Sequence, residues 1–191
     1  MKPRGRRLRF NDEQYLTDWV DKRQYPAIHN NIFSAIENWT RGKSALDLCC
    51  STGLLAQRMS TQGKINSVGV DADSRAIALG IERGIKVPLY LLNIQSETLN
   101  DLAKIITTSN ITLLVARRCL PELFGANADL ANEFEEMIWS AGIEEIVLEG
   151  RIATKSAVNP LATLAKEVAL WKRRYSLSRQ GQNIAYLTRK L

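Results

Sequence analysis

The sequence predicts an α/β fold: a mostly parallel sheet with helices on both faces, closed by an antiparallel hairpin. Three observations predict it. Short apolar, β-branched runs alternate with helical stretches through residues 44–148, and alternation at that length gives right-handed βαβ crossovers with both sheet faces covered. The first strand runs into a tight turn of small residues, Cys49-Cys50-Ser51-Thr52-Gly53, and directly on into a helix. After Trp171 the helical rhythm gives way to two alternating segments joined around Gln180-Gly181, the pattern of a hairpin.

Taken in order, Pro26 stands at a helix start, and Ile28, Ile32, Ile36 and Trp39 share one face of a helix that ends near Gly42. Ser44 to Leu48 is the first strand, and Leu54 to Ser60 a helix stopped at Gly63. Ile65 to Val70 repeats the cycle, with Asp73 or Ser74 capping a helix that carries Ala76, Ile77 and Ile81 to Gly84. The third strand is Val87 to Leu92. Leu99, Leu102, Ile105 and Ile106 form a helical stripe, Ile111 to Val115 the fourth strand, and Leu130, Phe134, Met137 and Ile138 a helix before Gly142. Ile143 to Leu148 is the fifth strand. Leu161, Leu164, Val168 and Trp171 mark a last helix, followed by the hairpin segments Arg174 to Ser178 and Asn183 to Thr188. No repeat or linker divides the chain: residues 1–24 read as a basic arm and residues 25–191 as one domain.

At 191 residues the length suits one domain of roughly 100–200 residues. A hydrophobic share of 45% with 24% charged residues is that of a soluble globular protein, which argues against a disordered chain. No stretch approaches a membrane span, and the basic start lacks the apolar run of a secretory signal, so a cytoplasmic location is expected. Three cysteines, two of them adjacent, make no disulfide framework, and a single His29 without Cys/His spacing makes no zinc or other metal site. The net charge of +6 is segregated: residues 1–9 carry +5, residues 151–191 carry +8, and the middle carries −7. Basic ends of this kind serve a polyanionic partner or simply form a solvated surface, and both readings stand.

In an open parallel sheet, ligands bind beyond the carboxyl ends of the strands, where strand order reverses. Asp47, Asp71 and Asn93 stand at the first three strand ends. Asp71 follows Gly53 at nearly the spacing at which a strand-end acid accepts hydrogen bonds from ribose hydroxyls. An adenosine-containing cofactor fits, although Asp71 also suits a role at the start of the following helix. The turn lacks the G-x-G-x-x-G of a NAD site.

Asp47 to Gly53 resembles the first motif of the class I S-adenosylmethionine-dependent methyltransferases, Asp-x-Gly-x-Gly-x-Gly, and its variant D-L-C-C-G-T-G, from which it departs at Ser51. Val68-Gly69-Val70-Asp71 resembles the second motif, and Asn93-Ile94 stands where the family usually has an acid beside the adenine. The resemblance covers nearly the whole chain. It implies a three-layer Rossmann-like fold with a seven-stranded sheet, and S-adenosyl-L-methionine as cofactor. Asp47, Cys49, Ser51 and Gly53 would wrap its methionine part, Asp71 with Ala72 the ribose, and Asn93 and Ile94 the adenine. Ser51 puts a side chain where the family's glycine allows close approach, and Asn93 replaces a carboxylate by an amide.

The family's substrate-side motif follows the fourth strand, here Val115-Ala116-Arg117-Arg118-Cys119-Leu120-Pro121-Glu122. It lacks the Asp-Pro-Pro-Tyr or Asn-Pro-Pro-Tyr that holds an exocyclic base amine. Cys119 lies near the nucleophile position of cytosine-C5 enzymes, but that cysteine follows a proline, and a small strand-end side chain is the plainer reading. Arg117 and Arg118 suit a substrate phosphate or carboxylate, or a solvated loop. Glu149, beside Gly150 and Arg151 at the fifth tip, suits either orientation of a nucleophile or a salt bridge. The catalytic candidates are therefore Arg117, Arg118, Cys119 and Glu149. The expected acceptor is nucleic acid or nucleotide-like, suggested by the cofactor turn and by the basic ends with Lys172-Arg173-Arg174; Trp171 and Tyr175 beside that triplet suit stacking on bases, but a core position at a helix end and strand start is the plainer reading. A small-molecule or protein acceptor, and a noncatalytic binding protein, are the alternatives.

Overall fold

The computed structural model describes residues 29–125, 127–150 and 163–190. The basic arm, the helix start at Pro26 and Ile28, Arg151 and Leu161 lie outside them. In the described chain, helix α1 (Asn30–Trp39) precedes β1 (Ser44–Leu48), α2 (Leu54–Thr61), β2 (Asn66–Asp71), α3 (Ser74–Glu82) and β3 (Leu89–Leu91). A 3₁₀ turn at Ser96–Thr98 leads into α4 (Leu99–Thr108), then β4 (Leu113–Arg117), α5 (Leu120–Phe124), α6 (Ala128–Ser140) and β5 (Glu145–Glu149). Helix α7 (Leu164–Ala169) and the strands β6 (Tyr175–Gln180) and β7 (Ile184–Arg189) complete the order.

The seven strands form one sheet in the order β3-β2-β1-β4-β5-β7-β6. The first five are parallel, and β7 runs antiparallel to both β5 and β6. Strand order reverses between β1 and β4, so the carboxyl end of β1 is the switch point at which ligands bind.

Alternation along each central strand sends side chains to opposite faces. Ala45, Leu113, Val115 and Val147 pack with Ile32, Phe33 and Ile36 of α1 and Leu55 and Met59 of α2. Leu46, Leu114, Ile146 and Leu148 pack with Leu102 and Ile106 of α4, Phe134 and Ile138 of α6, and Trp171. Two helical layers thus cover the sheet. At the amino end of β5, buried Glu145 accepts the Arg41 and Gly42 N–H groups and the Tyr186 hydroxyl, tying the α1–β1 connection to the sheet.

Three local expectations differ from the structure. Ile81 is 63% exposed, because α3 packs through Ala76, Ile77 and Gly80: a Cβ on Gly80 would lie 2.3 Å from the Thr52 carbonyl, so this helix approaches the turn backbone too closely for a side chain there. Strand β3 is three residues long, since it pairs only with Gly69 to Asp71 at the sheet edge. Helix α5 lies in a stretch read as a motif rather than an element; Pro121 sits in its first turn, where a missing N–H costs no hydrogen bond. Trp171 and Tyr175 are 1% exposed, stacked edge-to-face with each other, and Trp171 also meets Phe134 edge-on. They are core residues, as the plainer reading of the sequence has it.

Candidate functional site

The turn after β1 alternates its backbone hand. Cys49, Ser51 and Gly53 have φ of 58°, 52° and 80°, so three positions of the Asp-x-Gly-x-Gly-x-Gly pattern lie in the left-handed region, two of them without glycine. Such a residue costs roughly 1–2 kcal/mol, and the surroundings hold it in place. Cys50 N–H donates to the Val70 carbonyl at 3.0 Å, and Gly53 N–H to the Cys50 carbonyl at 2.9 Å. Ser51 N–H donates to Asp71 Oδ2 at 2.7 Å, while Asp71 Oδ1 accepts the Asp73 N–H at 2.8 Å. Asp73, not Asp71, caps α3, accepting from Arg75 and Ala76.

Asp47 lies behind the turn. It is 3% exposed, and its Oδ2 accepts the Ala56 N–H at 3.2 Å. Gly53, at the helix N-cap, has no side chain to give α2, and Asp47 supplies that missing cap from the preceding strand. Burial raises its pKa from 3.8 to about 7, opposed by the Ala56 N–H and assisted by Asp71 nearby. Burial likewise raises Asp71, against the pull of the N–H groups it accepts.

Asn93 and Ile94 line an open cleft of about 400 Å³ with Gln95, Ser96, Leu123 and Leu130, within the range of small-molecule sites. Ile94 is buried at its wall while Asn93 and Ala72 are exposed. Leu123 and Leu130 come from α5 and α6, on the far side of β4 in sequence. The proline-marked first turn of α5 was the available signal for them.

On the other flank, the tips of β4 and β5 carry a charged cluster. Glu149 is 1% exposed, and its two oxygens take Arg117 Nε at 3.0 Å and Arg118 Nη2 at 2.8 Å. Asn183, a contact the sequence did not suggest, lies 3.5 Å from the same carboxylate. Arg118 N–H donates to the Glu149 carbonyl at 2.7 Å, holding Arg118 at φ 55°. His29, the single histidine, is buried at the start of α1. Burial lowers its pKa to about 3, with Arg117 and Arg58 adding to the effect, so it is neutral near pH 7. Cys119 is 7% exposed, and its thiol donates to the Leu48 carbonyl at 3.6 Å. The neighbouring Cys119 thiol, followed by burial, raises the Cys49 pKa. These thiols are packed at the strand tips.

One edge of the sheet therefore gathers Cys49, Ser51, Gly53, Asp71, Asn93 and Ile94 around β1 to β3, and Arg117, Arg118 and Glu149 around β4 and β5. The basic triplet is elsewhere. Arg173 pairs with Glu135 and Glu136, and Arg174 with Glu136, near Tyr175, whose hydroxyl donates to the Ile143 carbonyl at the amino end of β5.

No family model matches the sequence, and no curated protein matches it. Solved structures do. A TehB-like S-adenosylmethionine-dependent methyltransferase from Corynebacterium glutamicum aligns over 94% of this chain and 100% of its own, at 15% identity and a TM-score of 0.58. The N-methyltransferase NodS from Bradyrhizobium japonicum aligns over 90% and 99%, at 12% identity and a TM-score of 0.64. Magnesium protoporphyrin IX methyltransferase from Synechocystis, with bound S-adenosylhomocysteine, aligns over 94% and 100%, at 12% identity and a TM-score of 0.60. Sheet order, turn and structural likeness agree: this chain has the fold of the class I S-adenosylmethionine-dependent methyltransferases.

Proposed function

We propose that the protein is an S-adenosylmethionine-dependent methyltransferase whose acceptor is nucleic acid or a nucleotide-like compound. The observation that carries the methyltransferase reading is the turn from Cys49 to Gly53, held in three left-handed steps and tied to Asp71. The donor set suits this cofactor. Asp47 and Asp71 are two carboxylates whose pKa values burial raises, so a sulfonium and an ammonium arriving beside them relieve an electrostatic cost. Each Asp71 oxygen has a lone pair beyond the N–H it accepts, enough to receive ribose hydroxyls.

When bound, the cofactor supplies an activated methyl group. The chain's own part is positioning. The backbone of Cys49, Ser51 and Gly53 lines the methionine part, with Asp47 stiffening the helix behind it. Asp71 with Ala72 fixes the ribose, and Asn93 and Ile94 border the adenine in the cleft. Glu149 holds Arg117 and Arg118 at the acceptor side. Cys119, with its thiol turned to the Leu48 carbonyl, serves the packing of the tip rather than attack on a base.

The nucleic-acid reading is motivated by the basic ends of the chain. A second reading, a small-molecule or protein acceptor, is favoured by the burial of Trp171 and Tyr175 and the pairing of Arg173 and Arg174, which leave that segment no stacking surface. Incubation with a labelled methyl donor and cellular RNA, DNA, protein and metabolite fractions tests the proposal by asking which fraction gains label. A nucleic-acid acceptor also requires binding that falls steeply with salt; salt-independent binding, or label only in protein or metabolites, selects the second reading.

A further inference from the structure

The charge at the β4 and β5 tips does not balance. Glu149 is one buried carboxylate, and a single guanidinium neutralises it, yet two are bound to it. The two arginines are not equivalent. Arg117, with 18% of its side chain exposed, faces inward and is close enough to act on the ionisation of both Asp47 and His29. Arg118 has 41% of its side chain exposed, and Glu149 is the carboxylate that it meets among the described residues. Its ion pair with Glu149 engages one terminal nitrogen, Nη2, of a guanidinium that carries five N–H donors.

Arg118 is also held at a cost. Its φ of 55° places a long side chain on left-handed backbone, and the Glu149 carbonyl accepts its N–H at 2.7 Å. The same glutamate therefore fixes the main chain and one nitrogen of the fork. That removes much of the conformational freedom an exposed arginine loses on gripping a ligand. Strain of this kind persists where the surroundings over-determine it, and it clusters at binding sites. The location is specific too. Cys119, the next residue, has its thiol on the Leu48 carbonyl, at the start of the turn, whereas the cleft of Asn93 and Ile94 opens on the β3 and α6 side.

We infer that Arg118, pre-set by Glu149 and supported by the charge of Arg117, binds an oxyanion of the methyl acceptor, a phosphate or carboxylate group. The inference rests on the methyltransferase reading for the word acceptor, but the oxyanion site itself does not. Guanidinium forks pair with both groups in two parallel hydrogen bonds.

The test uses full-length protein saturated with S-adenosylhomocysteine, with the arginine side-chain N–H signals followed by NMR while inorganic phosphate, or acetate in a parallel arm, is added. The expected result is a saturable shift of the Arg118 signal. Arg118→Gln weakens binding of the effective anion at least tenfold and leaves S-adenosylhomocysteine affinity within twofold. Arg118→Lys, which keeps charge but loses the fork, falls between and reads the effect if the glutamine variant does not fold. Preference for phosphate points to a phosphorylated acceptor and preference for acetate to a carboxylate. An unchanged anion affinity in both variants overturns the inference. So does a tenfold loss of S-adenosylhomocysteine affinity with anion binding intact, which assigns the guanidinium to the cofactor's own carboxylate. If S-adenosylhomocysteine does not bind at all, the cofactor reading has failed, and the same titration of the free protein still decides the oxyanion site.

Discussion

Asp71 Oδ2 accepts the Ser51 N–H at 2.7 Å across a separation of 20 residues. This bond joins the tip of β2 to the middle of the turn after β1. The carboxylate that family resemblance assigns to a ribose is thus also the brace of the loop that would hold the methionine end. Asp71→Ala removes both, and is expected to weaken S-adenosylmethionine by about 1.5–3 kcal/mol, the range for a charged hydrogen-bond partner. Calorimetric titration reads it; unchanged affinity moves the ribose contact to another residue.

Ser51→Gly tests the strain in that turn. Glycine removes a left-handed cost of roughly 1–2 kcal/mol but loosens the unfolded chain by roughly 0.5–1 kcal/mol. A net gain of up to about 1.5 kcal/mol in denaturant unfolding is expected, with cofactor affinity kept or improved. A loss of more than about 1 kcal/mol would mean that the Ser51 side chain, not its backbone, holds the loop.

Gly80 contributes through the absence of a side chain. With a Cβ placed 2.3 Å from the Thr52 carbonyl, Gly80→Ala has to push the turn or α3 aside, and overpacking typically costs about 1–3 kcal/mol. Thermal unfolding should show that loss, with weaker cofactor binding beside it. A variant with wild-type affinity and stability would mean that α3 does not set the turn.

Asp47 links stability to pH. Its folded pKa of about 7 lies above the ordinary 3.8. Between those values the folded chain keeps a proton that the unfolded chain has lost. Its contribution is therefore full below pH 3.8 and is lost as pH rises through 7, by up to roughly 4 kcal/mol. Asp47→Asn keeps an acceptor for the Ala56 N–H and cannot ionise. Urea unfolding at pH 4.5 and 7.5 should show the wild type losing stability relative to the variant at the higher pH. Parallel behaviour at both values would remove Asp47 as the cause.

Glu149→Gln leaves two guanidinium groups without their carboxylate. Removing one partner of a fully buried pair costs about 3–5 kcal/mol; with Arg118 partly exposed about 2 kcal/mol is expected, measured by urea unfolding at neutral pH. A smaller loss than about 0.5 kcal/mol would show that solvent screens the cluster.

The sheet was legible in the sequence because its strands are short β-branched runs with helices between them: Ser44 to Leu48 reads the same in both. The turn was legible because small residues and Asp71 stand at fixed spacing. Other features depend on tertiary neighbours. Nothing local tells that Ile81 faces solvent while Gly80 meets Thr52, or that Asp47 caps a helix behind the turn. The Glu149 cluster was half legible: Arg117, Arg118 and Glu149 stand out as charges at strand tips, but only strand pairing puts Arg117 opposite Glu149, and only the fold brings His29 to the same edge.

The turn from Cys49 to Gly53, braced by Asp71, is expected to bind S-adenosylmethionine. Isothermal titration of the folded protein with S-adenosylmethionine and S-adenosylhomocysteine tests it most directly. Saturable binding at one site is expected for both, weakened about 10- to 150-fold by Asp71→Ala. Absence of binding by either compound at millimolar concentration, in protein shown to be folded, would contradict it.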